Sequence, residues 1–126
     1  MSRNFLKYLH REGFVLALVT GTARHELHRI LPQDIYDLFT VTVTGSDVRN
    51  GKPHPEPFMR CLRKLKINAH QAIVIENAPL GIASAMDAGL KCLALETSLA
   101  SAYLKRANGI YRTFKELSEK VGFKKI

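Results

Sequence analysis

Three short polar stretches hold residue types that could do chemistry together. Thr20-Gly21-Thr22 places a hydroxyl, a glycine and a second hydroxyl directly after an apolar run. If a helix follows, its free N–H groups and positive dipole end suit a phosphate. Simple helix capping by Thr22 accounts for the same residues. Lys52 lies between Gly51 and Pro53, with Pro55 and Pro57 close behind. A lysine confined in so stiff a loop can present its ammonium as a point charge to a phosphate; a solvated loop lysine is the other reading. Glu76-Asn77-Ala78-Pro79 follows a third apolar run, and its side-chain oxygens suit Mg²⁺. Alternatively, Glu76 caps a helix that starts at Asn77 or Ala78. Taken together, the three stretches supply donors to phosphoryl oxygens, a cation and a metal ligand, which are the functions that phosphoryl transfer needs.

These residues require elements to position them. Phe14 to Val19 is a continuous apolar run of strand length, as expected of a strand buried on both faces. Val41 to Thr44 is β-branched, and Ala72 to Ile75 and Cys92 to Leu95 are two further buried strands. A weaker strand is predicted over Gly109 to Arg112. Helical spacing marks Arg3 to Arg11, Ala23 to Leu31, Pro57 to Lys66 and Pro79 to Ala88. Gly13 and Gly89 stand where helix C-caps belong. A last helix is expected over Thr113 to Val121, with Thr113 and Glu116 as a capping box. Strands alternating with helices of this length imply an α/β fold, a parallel sheet with helices on both faces. In such sheets ligands bind beyond the C-terminal strand ends, where Thr20, Lys52 and Glu76 fall.

At this point the sequence resembles the haloacid dehalogenase-like hydrolases, in particular their β-phosphoglucomutase and phosphoglycolate phosphatase branch. Leu16 to Thr22 looks like the family's second motif, with Thr20 as its hydroxyl. Thr44 to Phe58 resembles the third-motif loop, with Lys52 as its lysine. Val74 to Gly89 resembles the fourth motif and its helix. The resemblance implies a Rossmann-like core in which an aspartate nucleophile forms an aspartyl-phosphate and a second aspartate two residues on serves as acid and base. It implies that Thr20 and the Gly21 backbone bind phosphoryl oxygens and that Lys52 neutralises the phosphate. It also implies that Mg²⁺ sits at Glu76 and Asn77.

The sequence departs from that pattern in two ways. The only aspartates are Asp34, Asp37, Asp47 and Asp87; no two are spaced as Asp-x-Asp, and none follows a buried strand. The opening motif, its central strand and the cap domain that follows it are therefore expected to be missing, leaving residues 1–126 as a single partial core domain. Asn77 stands where the family has an aspartate; an amide keeps an oxygen for the metal but loses a charge. A sheet without its central strand has unpaired inner edges, which recruit other chains. The expectation is a partner chain supplying that strand, or self-association.

Composition removes other classes. The chain has 126 residues, 46% hydrophobic and 24% charged, which is ordinary globular usage. No apolar run approaches the roughly 18 residues of a membrane span, and Met1 to His10, helical in pattern and without a long apolar core, are not expected to be a secretory signal. Two cysteines, Cys61 and Cys92, without a CxxC pair argue against a disulfide scaffold or a zinc site. A cytoplasmic protein is expected. The net charge of +8 raises nucleic-acid binding, but the cations are dispersed rather than clustered. A small phosphorylated metabolite is the expected ligand. A remnant that binds phosphate or a partner without catalysis is the competing reading.

Overall fold

The computed structural model describes residues 3–96 and 104–121. Helix α1 (Arg3–Arg11) turns Phe5, Leu6 and Leu9 inward. It closes at Gly13, whose φ of 85° lets Gly13 N–H reach the His10 carbonyl and Phe14 N–H the Leu9 carbonyl. Strand β1 (Ala17–Val19) leads to α2 (Arg24–Ile30), the one-turn α3 (Gln33–Tyr36) and β2 (Val41–Val43). After the proline-rich loop come α4 (Glu56–Leu65), a short 3₁₀ turn (Ala69–Gln71), β3 (Ile73–Glu76) and α5 (Pro79–Asp87). β4 (Lys91–Leu95), β5 (Gly109–Tyr111) and α6 (Phe114–Val121) complete the described elements.

All strand pairs are parallel, but they form two ladders rather than one. β1 pairs with β2, Leu18 opposite Thr42. β3, β4 and β5 form the other ladder, with Ile75 opposite Leu93 and Ala94 opposite Ile110. Among the described strands, no pairing joins the two ladders, and β1 and β3 each leave an edge open. This is the break expected of a sheet that lacks a central strand.

Alternation along β4 shows how the layers are built. Cys92 and Ala94 join Phe58 of α4 and Ile82 and Ala85 of α5 in one core cluster. Leu93 and Leu95 point the other way, to Phe5 and Leu9 of α1 and Leu117 of α6. Side chains of period two thus meet helices on both faces. Cys61 and Cys92 are both buried and unbridged; burial, then the charge of Glu76, pushes the Cys92 thiol up to about 12.

Some bounds differ from those the residue pattern predicts. β1 is three residues long rather than the full apolar run from Phe14, because the β2 ladder begins only opposite Ala17. Val15, left without a strand partner, is 67% exposed. Helix α3 was not anticipated: it buries only Ile35 and is too short to show a period. The Thr113 hydroxyl does accept from Glu116 N–H, but the Glu116 carboxylate accepts from Arg112 N–H rather than completing the box at Thr113.

Candidate functional site

Two loops at the C-terminal ends of β1 and β2 are locked together. Thr20 N–H extends the ladder to the Val43 carbonyl at 2.9 Å, and the Thr20 hydroxyl accepts from Thr22 N–H at 3.1 Å. The chain therefore turns sharply at Gly21. Gly45 N–H donates to the Thr22 carbonyl at 2.9 Å, and a Cβ on Gly45 would run into the Gly21 carbonyl oxygen. Only glycine allows that approach. Thr22 does not cap α2; instead, Ser46 reaches across from the second loop to accept from Arg24 N–H at 3.0 Å.

Arg24 completes the clamp. Its guanidinium meets Asp47 at 2.6 Å and also binds the Thr42 hydroxyl and carbonyl. Burial disfavours a charge on Asp47, but the Thr44 N–H, the Thr44 hydroxyl and Arg24 together outweigh it. They hold the Asp47 pKa at about 2. Thr44 is fully buried with both its polar groups on that carboxylate. No spacing rule exposes this pair in the sequence, since Arg24 and Asp47 stand 23 residues apart.

The proline loop delivers Lys52. Glu56, in the first turn of α4, accepts from Arg49 N–H at 2.8 Å and from Asn50 N–H at 3.1 Å. The Arg49 N–H bond is the largest influence on its carboxyl, which is held below its ordinary value. Farther along, Ser84 of α5 donates its hydroxyl to the His54 carbonyl at 2.6 Å. Between these anchors Lys52 Nζ donates to the Val19 carbonyl at 3.0 Å and to Glu76 Oε2 at 2.8 Å. It also stands 5.3 Å from the Phe58 ring centroid. One ammonium thus joins the ends of β1 and β3, one strand from each ladder.

A cavity of about 200 Å³ opens beside this junction, lined by Thr20, Gly21, Gly45, Arg49, Gly51 and Lys52 together with Val48 and Pro57. The fold brings Thr20, Gly21 and Lys52 to one place. Glu76 adjoins it through Lys52, and Asn77 does not line it. Residue patterns missed Arg49, because a single loop arginine has no spacing signal. His54 lines a second, shallower cavity with Arg49 and Asp87, and its Nδ1 accepts from Glu56 N–H.

The expected metal site at Glu76 and Asn77 fares differently. Glu76 Oε2 is on the Lys52 ammonium, and Oε1 accepts from Asn77 N–H at 3.0 Å. A Cβ on Gly81 would strike this carboxyl, so the glycine leaves room for it to lie where it does. Glu76 does not cap α5, whose N-cap is Ala78. Among the described residues no three His, Cys, Asp or Glu side chains converge. Glu76 with one oxygen on an ammonium supplies at most one side of the octahedral shell that Mg²⁺ takes, so these residues do not by themselves form a metal site. The nearest countercharge to Glu76 is Lys52.

Comparison with known proteins agrees with this architecture. A family profile described as haloacid dehalogenase-like hydrolase matches residues 2–95. The chain is 33% identical over 90 residues to a phosphorylated carbohydrates phosphatase of Thermotoga maritima, covering 71% of this chain and 42% of that protein. It is 33% identical over 102 residues to the pyrophosphatase PpaX of Bacillus cereus, covering 79% and 47%. The chain therefore spans less than half the length of these relatives. Among solved structures, a candidate beta-phosphoglucomutase from Thermotoga maritima superposes with a TM-score of 0.85 at 28% identity, over 97% of this chain and 59% of the other. A phosphatase from Thermococcus onnurineus reaches 0.86 at 22% identity, over 98% and 58%, a likeness of fold. With the profile covering most of its length, the chain belongs to the haloacid dehalogenase-like hydrolase family.

Proposed function

We propose that this chain is the phosphate-binding part of a phosphoryl-transfer site for a small phosphorylated metabolite, of phosphatase or phosphoglucomutase type. The observation that carries the reading is the position of Lys52: its ammonium stands where two strand ends meet, on the wall of the cavity that Thr20 and Gly21 also line. The Thr20 hydroxyl hydrogen and the Gly21 N–H donate to phosphoryl oxygens there, and Lys52 supplies the balancing charge. To do so Lys52 exchanges part of its contact with Glu76 for the phosphate.

No aspartate lines that cavity. Asp34 faces Arg3 and Lys7, Asp47 faces Arg24, and Asp87 faces Arg106. The nucleophile is therefore supplied by a further stretch of polypeptide, in the same or a separate chain, that adds a strand between β1 and β3. The same stretch would bring the further carboxylate that, with Glu76, would hold Mg²⁺. Until that strand is present, the free edges also favour self-association. Light scattering that finds a stable monomer under all conditions contradicts the open-edge part of this reading. No described helix is long and apolar enough to cross a membrane, and the two unbridged thiols fit a reducing compartment, so we place the protein in the cytoplasm.

A non-catalytic phosphate-binding remnant is the second reading, favoured by Asn77 and Ala78 at the fourth motif. Both readings require phosphate binding, and catalysis separates them. The test is a ³¹P NMR titration of the chain with inorganic phosphate, beside Lys52→Ala. A hydrogen bond to a charged group is worth about 1.5–3 kcal/mol, so the variant should bind roughly tenfold or more weakly. No binding by the unaltered chain, or equal binding by both, refutes the proposal.

A further inference from the structure

We infer that Arg49 forms a second anion subsite at the mouth of this cavity, so that the preferred ligand carries another negative group besides its phosphoryl group. The inference rests on the phosphate reading above and adds the substrate class to it. It begins with a charge inventory of the two loops. Lys52 is neutralised by Glu76 at 2.8 Å, and Arg24 by Asp47 at 2.6 Å. Arg49 also lines the cavity, but among the described residues no carboxylate lies within ion-pair distance of its guanidinium. The uncompensated positive charge of the cavity wall therefore belongs to Arg49.

Its backbone is held in place. Glu56 accepts from the N–H groups of Arg49 and Asn50 and from the Asn50 side-chain amide at 3.1 Å. The side chain thus leaves from an anchored point, three residues from Lys52 along the same loop. With Gly51 it lines both the phosphate-side cavity and the shallower one, whose wall continues through Asn50 and Pro53. A planar guanidinium at that boundary is suited to grip a carboxylate or a second phosphoryl group with two parallel hydrogen bonds. A phosphorylated acid or a bisphosphate fits this arrangement; a neutral phosphomonoester leaves the guanidinium unused.

The test uses stable phosphonates on the full chain. Propylphosphonate and 3-phosphonopropionate differ by a methyl in place of a carboxylate, and ethane-1,2-bisphosphonate supplies a second phosphoryl group. The expected result is at least fivefold tighter binding of one two-anion compound than of propylphosphonate, with the stronger of the two identifying the second group. Arg49→Gln should bring that ratio close to one. Lys64→Gln, which removes an exposed charge on α4, should leave it in place. Equal binding of all three compounds, a ratio that survives Arg49→Gln, or one lost equally in Lys64→Gln overturns the subsite. If inorganic phosphate itself fails to bind, the phosphate reading falls and the subsite falls with it. If phosphate binds without discrimination, only the subsite is lost.

Discussion

Strands β1 and β4 come from equally apolar sequence and end in different surroundings. β4 has a neighbour on each side and helices on both faces, and Cys92 to Leu95 are at most 3% exposed. β1 has one neighbour, its three residues are only partly buried, and Val15 just before it is largely exposed. Burial of a strand is thus set by what lies beside it, not by its own residues alone. The half built on β3, β4 and β5 is closed around a core, whereas the half built on β1 and β2 packs on that core through Leu16, Val19 and α4 and is bridged to it at the strand ends by a lysine and a carboxylate.

The largest effect should come from the closed half. Ile82 of α5 is 1% exposed in the core cluster, so Ile82→Ala should cost about 2–5 kcal/mol in chemical denaturation. A loss under 1 kcal/mol would mean that this half is no better packed than the other. Next comes the junction. Lys52 and Glu76 are 19% and 13% exposed, so removing one leaves the other largely desolvated. A double-mutant cycle with Lys52→Met and Glu76→Gln should return a coupling on the order of 1–3 kcal/mol, and additivity would show that the pair does not join the halves.

A smaller effect belongs to the Arg24–Asp47 clamp. The native pKa of Asp47 lies below its unfolded value, so its contribution is complete above about pH 4 and fades as pH falls toward 2. Over that window the chain should lose roughly 1–2 kcal/mol that Asp47→Asn has already lost. Parallel acid profiles for the two proteins would count against the clamp. The smallest effect falls on the open edge: Val15→Ala should change stability by less than about 0.5 kcal/mol. A large loss would show that Val15 is covered in solution by another strand or another copy.

Much of this organisation is legible in the residues. Apolar runs, prolines and glycines place most elements, and the polar groups expected at three successive strand ends, Thr20, Lys52 and Glu76, mark the loops that the fold brings side by side. What the residues hide depends on partners distant in sequence. The length of β1 follows from where β2 begins, and the clamp follows from a loop that brings Asp47 to Arg24. Glu76 reads as a metal ligand by type and place, yet in a desolvated setting a carboxylate takes the closest countercharge, and the fold puts Lys52 there. Arg49 stands out because, among the described residues, no carboxylate lies within ion-pair distance of its guanidinium, which linear order does not reveal.

The central claim is that Thr20, Gly21 and Lys52 hold a phosphate at the ends of β1 and β3. The most direct measurement is a titration of the ¹⁵N-labelled chain with inorganic phosphate at constant ionic strength, followed residue by residue. Saturable shifts concentrated at Gly21, Thr22, Gly51 and Lys52, and abolished in Lys52→Ala, are predicted. Shifts scattered over the exposed lysines and arginines, or none that saturate, would contradict it.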